Sequence, residues 1–382
     1  MRFEMTLMLS LAIGFQAAAQ ESPVSIQVTA NNGFSILKNN AATAVKDQGN
    51  TGTCWCFATI SLIESECLRA GGEKPDISEM YAVRNTYLYK ARNYVLRQGD
   101  SRFGQGGLGH DVLNAAGRYG LMPEAVFSGL KEGQKRFDHN EMEKALKTYL
   151  DSILKKRPVS RDWETGYAAI MDKYMGQTPP ATFDYNGKTY TPEKYAKEVV
   201  KFNPDDYISL TSFTHHPFYS SFVLEIPDNH ANGSFYNVTL EELIGATKGA
   251  VQKGYTVMWD ADVSNKGFIS KYGYAFSPEH DTVPDKTHPD PDLAEVKVTP
   301  EYRQGLFENL VTQDDHLMHI TGIGKSKNGK SFFIVKNSWG VTSSPFAGYV
   351  YVSEPYFAVN TINVIVPKAS LDKALLKKLK IN

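Results

Sequence analysis

Cysteine is scarce in this chain, with three among 382 residues, and that scarcity excludes the disulfide-dense scaffolds of small secreted domains. A helix over 55–68 would hold Cys56 and Cys67 about 16 Å apart along its axis, beyond disulfide reach. Cys54 and Cys56 point to different sides of such a helix. All three are therefore expected as thiols, Cys56 and Cys67 acting as small buried residues, and no second cysteine pair exists to complete a zinc site. Charge of one sign is lacking too: 41 basic residues stand against 42 acidic ones, so no basic face for nucleic acid is expected. Long apolar runs are absent. The one candidate, Leu7 to Phe15, is too short to span a bilayer, which excludes stable membrane insertion. With Arg2 before it and Ala17-Ala18-Ala19 after it, the run reads as a signal peptide over 1–19, with a mature start near Gln20 and export to the periplasm or medium.

What remains is an ordinary globular composition, 42% hydrophobic and 12% aromatic, enough for one large core or two. The stretch that organises it is Gln48-Gly49-Asn50-Thr51-Gly52-Thr53-Cys54-Trp55-Cys56-Phe57-Ala58. After a glycine-containing turn, Trp55, Phe57, Ala58, Ile60, Leu62 and Ile63 recur at near-helical spacing, which puts Cys54 at a helix N-terminus. The positive end of the helix dipole stabilises a thiolate, as does a neighbouring imidazolium. Cys54 is thus expected to ionise below the free value of about 8.5 and to serve as a nucleophile.

Further along, Asp76 or Ser78 can cap a helix running to about Leu96, and Gly104-Gln105-Gly106-Gly107-Leu108-Gly109 forms a loop into a helix over Val112 to Tyr119. Residues 125–240 read as helices and turns. Helical signals lie at Glu141 to Leu154, Tyr167 to Tyr174, and Pro192 to Phe202 behind a Thr191 cap, with turns at Pro179-Pro180 and Asn186-Gly187. Thr239-Leu240-Glu241-Glu242 is a capping box, and Tyr255 to Val263 a buried strand. The segment Pro278 to Asp292 contains His280, Asp281, Asp285, His288 and Asp290, but its prolines and irregular spacing mark a solvated loop rather than a metal site. Downstream, two β-rich runs flank Asn328-Gly329, a hairpin signal. A two-residue turn there sets Asn337 opposite Ile320 and places His316, Ile320 and Asn337 on one face, with His319 on the other as a structural histidine. His316 is then roughly 13 Å from the opposing pair, so contact with Asn337 requires twist or a bulge near Gly322 or Gly324.

These motifs together resemble papain-like cysteine peptidases. Thr51-Gly52-Thr53-Cys54-Trp55 is similar to the segment around their nucleophile, Asp315-His316 followed by Gly322 is similar to their histidine segment, and Asn337-Ser338-Trp339-Gly340 to their asparagine segment. The 316 − 54 = 262 residues between cysteine and histidine exceed the roughly 130–150 of the short enzymes. That excess resembles the bleomycin hydrolase and aminopeptidase C branch, with its long insertions.

The resemblance implies an α+β, two-lobed fold, a helical lobe plus a β-rich lobe, as one peptidase domain over 20–382 with a large helical insertion at about 125–240. It implies Cys54 as nucleophile, His316 as general base and acid, Asn337 as the residue orienting its ring, and Gln48 as an oxyanion donor. Gly106 and Gly107 would contact substrate, and Trp339 would shield the His316–Asn337 pair. No metal or other cofactor is implied; peptides and further copies of the chain are the implied partners. In that branch a C-terminal arm measures substrates from their amino end, whereas this sequence stops just after its last helix. Aminopeptidase action is therefore expected alongside two open alternatives, an endopeptidase or amidase with the same triad, and a non-catalytic peptide-binding module.

Overall fold

A computed structural model describes residues 34–279 and 290–381. The proposed signal peptide, and His280, Asp281, Asp285 and His288, lie outside the described residues. Around the cysteine the chain is helical: α1 (Cys54–Arg69), α2 (Glu79–Leu96), α3 (Gly109–Tyr119), α4 (Asn140–Leu154), α5 (Trp163–Met175) and a short α6 (Pro192–Lys194) that widens into a π turn over Tyr195–Val200. Helix α1 is the pivot of the molecule. Its residues are apolar or small on nearly every side, and Trp55, Cys56, Ile60 and Leu62 are fully buried, as befits a helix enclosed by other elements. The expected caps form, with Ser78 Oγ accepting from Tyr81 N–H at the start of α2 and Thr191 Oγ1 from Lys194 N–H at the start of α6. All three cysteines are free and buried.

The second half is built on one sheet of eleven strands. Its strands are β1 (Phe34–Asn39), β4 (Tyr207–Thr211), β5 (Ser221–Val223), β6 (Ser234–Asn237), β7 (Val257–Ala261), β8 (Phe268–Ile269), β9 (Tyr274–Ala275), β10 (His316–Ser326), β11 (Ser331–Lys336), β12 (Tyr349–Ser353) and β13 (Thr361–Pro367). They lie in the order β5-β6-β4-β13-β7-β10-β11-β12-β9-β8, with β1 added against β10. A separate hairpin, β2 (Phe183–Tyr185) and β3 (Lys188–Tyr190), turns at Asn186-Gly187 in the helical half. Helix α1 covers one face of β10 and β7. On the other face lie α7 (Leu240–Gln252), whose Thr239/Glu242 capping box forms as expected, and α9 (Glu354–Asn360). α8 (Pro300–Glu308) and α10 (Lys373–Lys378) complete the element order.

Two expectations need correcting. The stretch 125–240 is helical only to about residue 200; beyond that, buried Ile208 and Leu210 alternate along β4, and β4, β5 and β6 extend the main sheet. The hairpin is not closed by Asn328-Gly329 alone. Ser326 N–H donates to Lys330 O, enclosing a three-residue loop that shifts the register by one, so Gly324 faces Phe332 and Ile323 faces Phe333. A bulge between Ile320 and Gly322 shifts it again, leaving Ile320 opposite Val335. This bulge lies where the sequence required one, and it bends the strand beside His316.

Among the described residues no helix is long and apolar enough to cross a membrane.

Candidate active site

Each residue singled out in the sequence can now be placed. Cys54 is the first residue of α1, behind Thr53 at the N-cap. Its sulfur faces the backbone N–H of Leu317, the residue after His316, and α1 packs on β10. His316 pairs with Ala261 of β7, and its Nε2 lies 2.8 Å from Asn337 Oδ1. The Ser338 N–H also donates to that oxygen, at 2.7 Å, which fixes it as the amide's acceptor atom. Nε2 must therefore carry the imidazole proton, and Nδ1 the lone pair that can take a proton from a thiol. Trp339 lies against the ring, centroids 4.6 Å apart and planes 30° apart.

Gln48 is held between the halves. Its backbone N–H donates to Ser338 O, its Oε1 accepts from Ser338 Oγ at 2.6 Å, and its Nε2 donates to Thr51 O at 2.7 Å. Once Oε1 is held by the serine, the amide nitrogen faces the turn that leads to Cys54. Gly106 is half-buried with its carbonyl held by Lys90 Nζ. Gly107 is buried; a Cβ there would come 3.1 Å from the Trp55 ring. His319 is on the face toward α1, its Nδ1 accepting from Ser61 Oγ at 2.9 Å.

Electrostatically the site is dry. Burial pushes the Cys54 thiol up to about 12, with a smaller contribution in the same direction from the carboxylates of Asp260 and Asp314. Burial likewise lowers His316 to about 4, although its bond to Asn337 opposes this. The expectation of a Cys54 that ionises more readily than a free thiol is thus reversed for the thiol on its own. The helix dipole and the Leu317 N–H do not offset removal from water. Both groups are thus neutral as they stand, a protonated thiol and an unprotonated ring.

Sequence reasoning missed several neighbours. Ser338 stands inside a motif already singled out, and its hydroxyl could have been read as a partner for Gln48. Gln105 accepts the Gly52 N–H with Oε1 and the Trp55 indole N–H with its carbonyl, tying the glycine loop to the α1 start. Asp228, Asp260 and Asp314 gather beside the site without any local signal. As for metals, His215, His216 and Glu225 are the described group whose ligand atoms lie close together. Gln304 Nε2, however, donates to His215 Nδ1 at 2.9 Å, so the proton of that ring is on Nε2 and points at Glu225 Oε2. These contacts account for the cluster as hydrogen-bonded pairs.

Cys54 at the start of a helix in one half, and the bonded His316 and Asn337 on β10 and just after β11 in the other, give the arrangement of residue types found in papain-like cysteine peptidases. The chain belongs to the Peptidase C1-like family, whose model matches residues 177–382, and the model of the papain family cysteine proteases matches residues 19–124. That the C1-like model covers the histidine and asparagine half agrees with the branch implied by the long cysteine-to-histidine separation. Among solved structures the chain is similar to PepW from Lactobacillus rhamnosis HN001 (DR20), at 19% identity and a TM-score of 0.71 over 91% of this chain and 84% of that one. It also matches the bromelain protease of Ananas comosus in its complex with the E64 inhibitor, at 16% identity and a TM-score of 0.39 over 85% of this chain and 93% of that one. A search of curated protein sequences finds no match.

Proposed function

We propose that this cysteine peptidase is an aminopeptidase that removes residues from the amino ends of peptides, with Cys54, His316 and Asn337 as its triad. Cys54 attacks the peptide carbonyl while His316 Nδ1 takes the thiol proton and passes it to the leaving amine. Water, deprotonated by the same ring, then hydrolyses the thioester and regenerates the thiol. The Cys54 N–H and the Gln48 carboxamide hold the oxyanion in both steps. The observation that carries this reading is the 2.8 Å bond from His316 Nε2 to Asn337 Oδ1, which leaves Nδ1 free to act as base next to a sulfur at a helix N-terminus. The apolar run and small residues before Gln20 support export of the mature enzyme, which amino-terminal sequencing of the secreted protein would check.

The test is a pair of fluorogenic substrates, an aminoacyl amide with a free amino group and its N-acetyl form, together with an epoxide thiol reagent. Hydrolysis of the free form alone, a single adduct on Cys54, and no turnover by Cys54→Ala are expected. Cleavage of the blocked form alone would make it an endopeptidase, and turnover surviving in Cys54→Ala would remove the nucleophile.

A further inference from the structure

The loop joining β5 to β6 leaves the sheet and packs against the helical half. It is folded on Asn229, whose Nδ2 donates to Leu224 O at 2.9 Å and to Gly233 O at 3.0 Å, while its Oδ1 accepts from Gly233 N–H at 2.7 Å. It is fastened to the helical half, where Asn93 Nδ2 donates to His230 O at 2.9 Å and the His110 ring sits directly over Gly233. From this anchored loop Asp228 projects across the site. Its carboxylate lies on Gly106 so closely that a Cβ at that glycine would come 2.4 Å from Cγ and closer still to Oδ2. On the opposite side the Asp228 backbone N–H faces the carboxylate of Asp314, two residues before His316. A single short loop thus spans from the glycine that extended peptides are expected to line up on to the strand that carries the imidazole.

Carboxylates outnumber donors at this crossing. Asp260, fully buried on β7 opposite Leu317 and Asn363, adjoins Asp314. Asp260 Oδ2 accepts from Asn363 Nδ2 at 2.5 Å, and Asp260 and Asp314 hydrogen-bond to each other through a proton that burial holds on the pair, but no N–H or O–H of another residue reaches Asp260 Oδ1 or Asp314 Oδ2. The nearest cations are engaged elsewhere or reach weakly: Lys90 Nζ serves the carbonyls of Gly104 and Gly106, and Arg102 Nε is 3.6 Å from Asp228 Oδ1 on a mostly exposed side chain. Buried acceptors that lack donors point to a ligand that brings N–H groups and positive charge. The Asp228 carboxylate stands in the way of a chain running along Gly106, and of the two ends of a peptide the ammonium is the one whose charge suits it.

Resting on the aminopeptidase reading, we propose that Asp228, together with Asp314, binds the free α-ammonium of the substrate, and that the 224–233 loop closes the cleft beyond the first residues bound. Asp228 is in this view a specificity-determining residue. The ammonium donates to Asp314 Oδ2, which has no N–H donor, and to Asp228 beside Arg102, and no covalent bond is made or broken in the step.

The experiment compares kcat/KM for a phenylalanyl amide with that for its 3-phenylpropanoyl analogue, which has the same shape without the amino group. Measurements use the wild type and Asp228→Asn, which retains the size of the side chain. Charge-assisted hydrogen bonds of this kind are worth roughly 10- to 100-fold. The wild type is expected to prefer the amino substrate by at least that factor, and Asp228→Asn to lose most of the preference through KM, with Cys54 alkylation unchanged. Asp228→Gly, which also removes the obstruction, should acquire activity on the N-acetyl form; it serves as a second arm should the asparagine variant fold poorly. An Asp228→Asn enzyme that keeps the wild-type preference overturns the proposal while leaving the aminopeptidase reading intact. A preference confined to N-blocked substrates with lysine side chains overturns it in favour of a side-chain ammonium. A wild type that turns over neither phenylalanyl nor 3-phenylpropanoyl amide, yet cleaves longer blocked peptides, removes both readings together.

Discussion

Lys336 is a buried amine at the junction of the two halves, and replacing it by methionine is a quantitative test of how that junction is held. It projects from the end of β11 with 6% of its surface exposed. Its Nζ donates to Thr43 Oγ1 at 3.1 Å and to Ser61 Oγ at 2.7 Å. Burial lowers it to about 8 from 10.5, although the carboxylates of Glu64 and Glu79 oppose the shift. At ~1.36 kcal/mol per pH unit that gap corresponds to ~3.4 kcal/mol. The sign follows from proton counting: between pH 8 and 10.5 the unfolded chain binds a proton that the folded one has released, so stability rises with pH through this window. By pH 9.5 roughly 1.6 kcal/mol of the gain should be realised. Methionine has similar length and no charge to bury, and the partners left behind keep other bonds. Ser61 Oγ still meets His319 Nδ1 at 2.9 Å, and Thr43 Oγ1 still donates to Glu64 Oε2 at 2.5 Å. Lys336→Met should therefore match or exceed the wild type at pH 7. Its stability advantage should then shrink by about 1.6 kcal/mol between pH 8 and 9.5, as read by urea unfolding at both pH values. Because the difference between variant and wild type is taken, ionisation of the tyrosines cancels. A difference independent of pH would refute the assignment of a depressed, buried amine, and a loss of several kcal/mol at pH 7 would show that the charge holds the halves together.

Three further outcomes follow from the same geometry. His139 and His316 are both lowered to about 4 by burial, so each is neutral in the fold while the unfolded chain takes up a proton below pH 6.5. Their contribution is complete above that pH and is lost as pH falls toward 4, up to ~3 kcal/mol each, and urea midpoints at pH 7 and 4.5 should show the loss shrinking in His139→Gln. Gly120 closes α3 at φ +75°, and a Cβ there would lie 2.2 Å from the Pro192 carbonyl carbon. Gly120→Ala should lower stability by roughly 3 kcal/mol, and an unchanged Tm would contradict it. Ser338→Ala frees the Gln48 carboxamide, whose Oε1 it now holds at 2.6 Å. This should lower kcat by about tenfold with little change in KM if Gln48 is an oxyanion donor; unchanged kcat would speak against that role.

Much of the helical half was legible because its signals are local. Thr191-Pro192, Ser78 and the Thr239/Glu242 box each specify a helix start within four residues, and each forms its cap. The same Thr-Pro signal stands at Thr299-Pro300 and opens α8, so that helix was readable from the sequence. The strands β4 to β6 were not, because they are only three to five residues long and the strand that ties them to the rest of the sheet, β13, lies more than a hundred residues further along. The meeting of His316 with Asn337 was readable only as a requirement for irregularity, since a flat hairpin keeps them apart. The bulge at Ile320/Gly322 is a tertiary outcome of β10 pairing with β7, β11 and β1 at once. Asp228 had no signal at all: it is an isolated acid in a turn, and its significance arises only from Gly106, more than a hundred residues earlier.

The place of β13 has a consequence for how the protein is made. This strand, Thr361–Pro367, lies in the middle of the sheet, joining β7 on one side to β4 on the other. While the chain is still emerging from a ribosome, the helical segments can collapse on local contacts, but β4, β5 and β6 have nothing to bridge them to the histidine strand until residue 367 is synthesised. Such pairing between strands far apart in the chain is expected to make closure of the sheet the slow step of folding. The strand that joins β4 to β7 is thus also the last of the described strands to be synthesised.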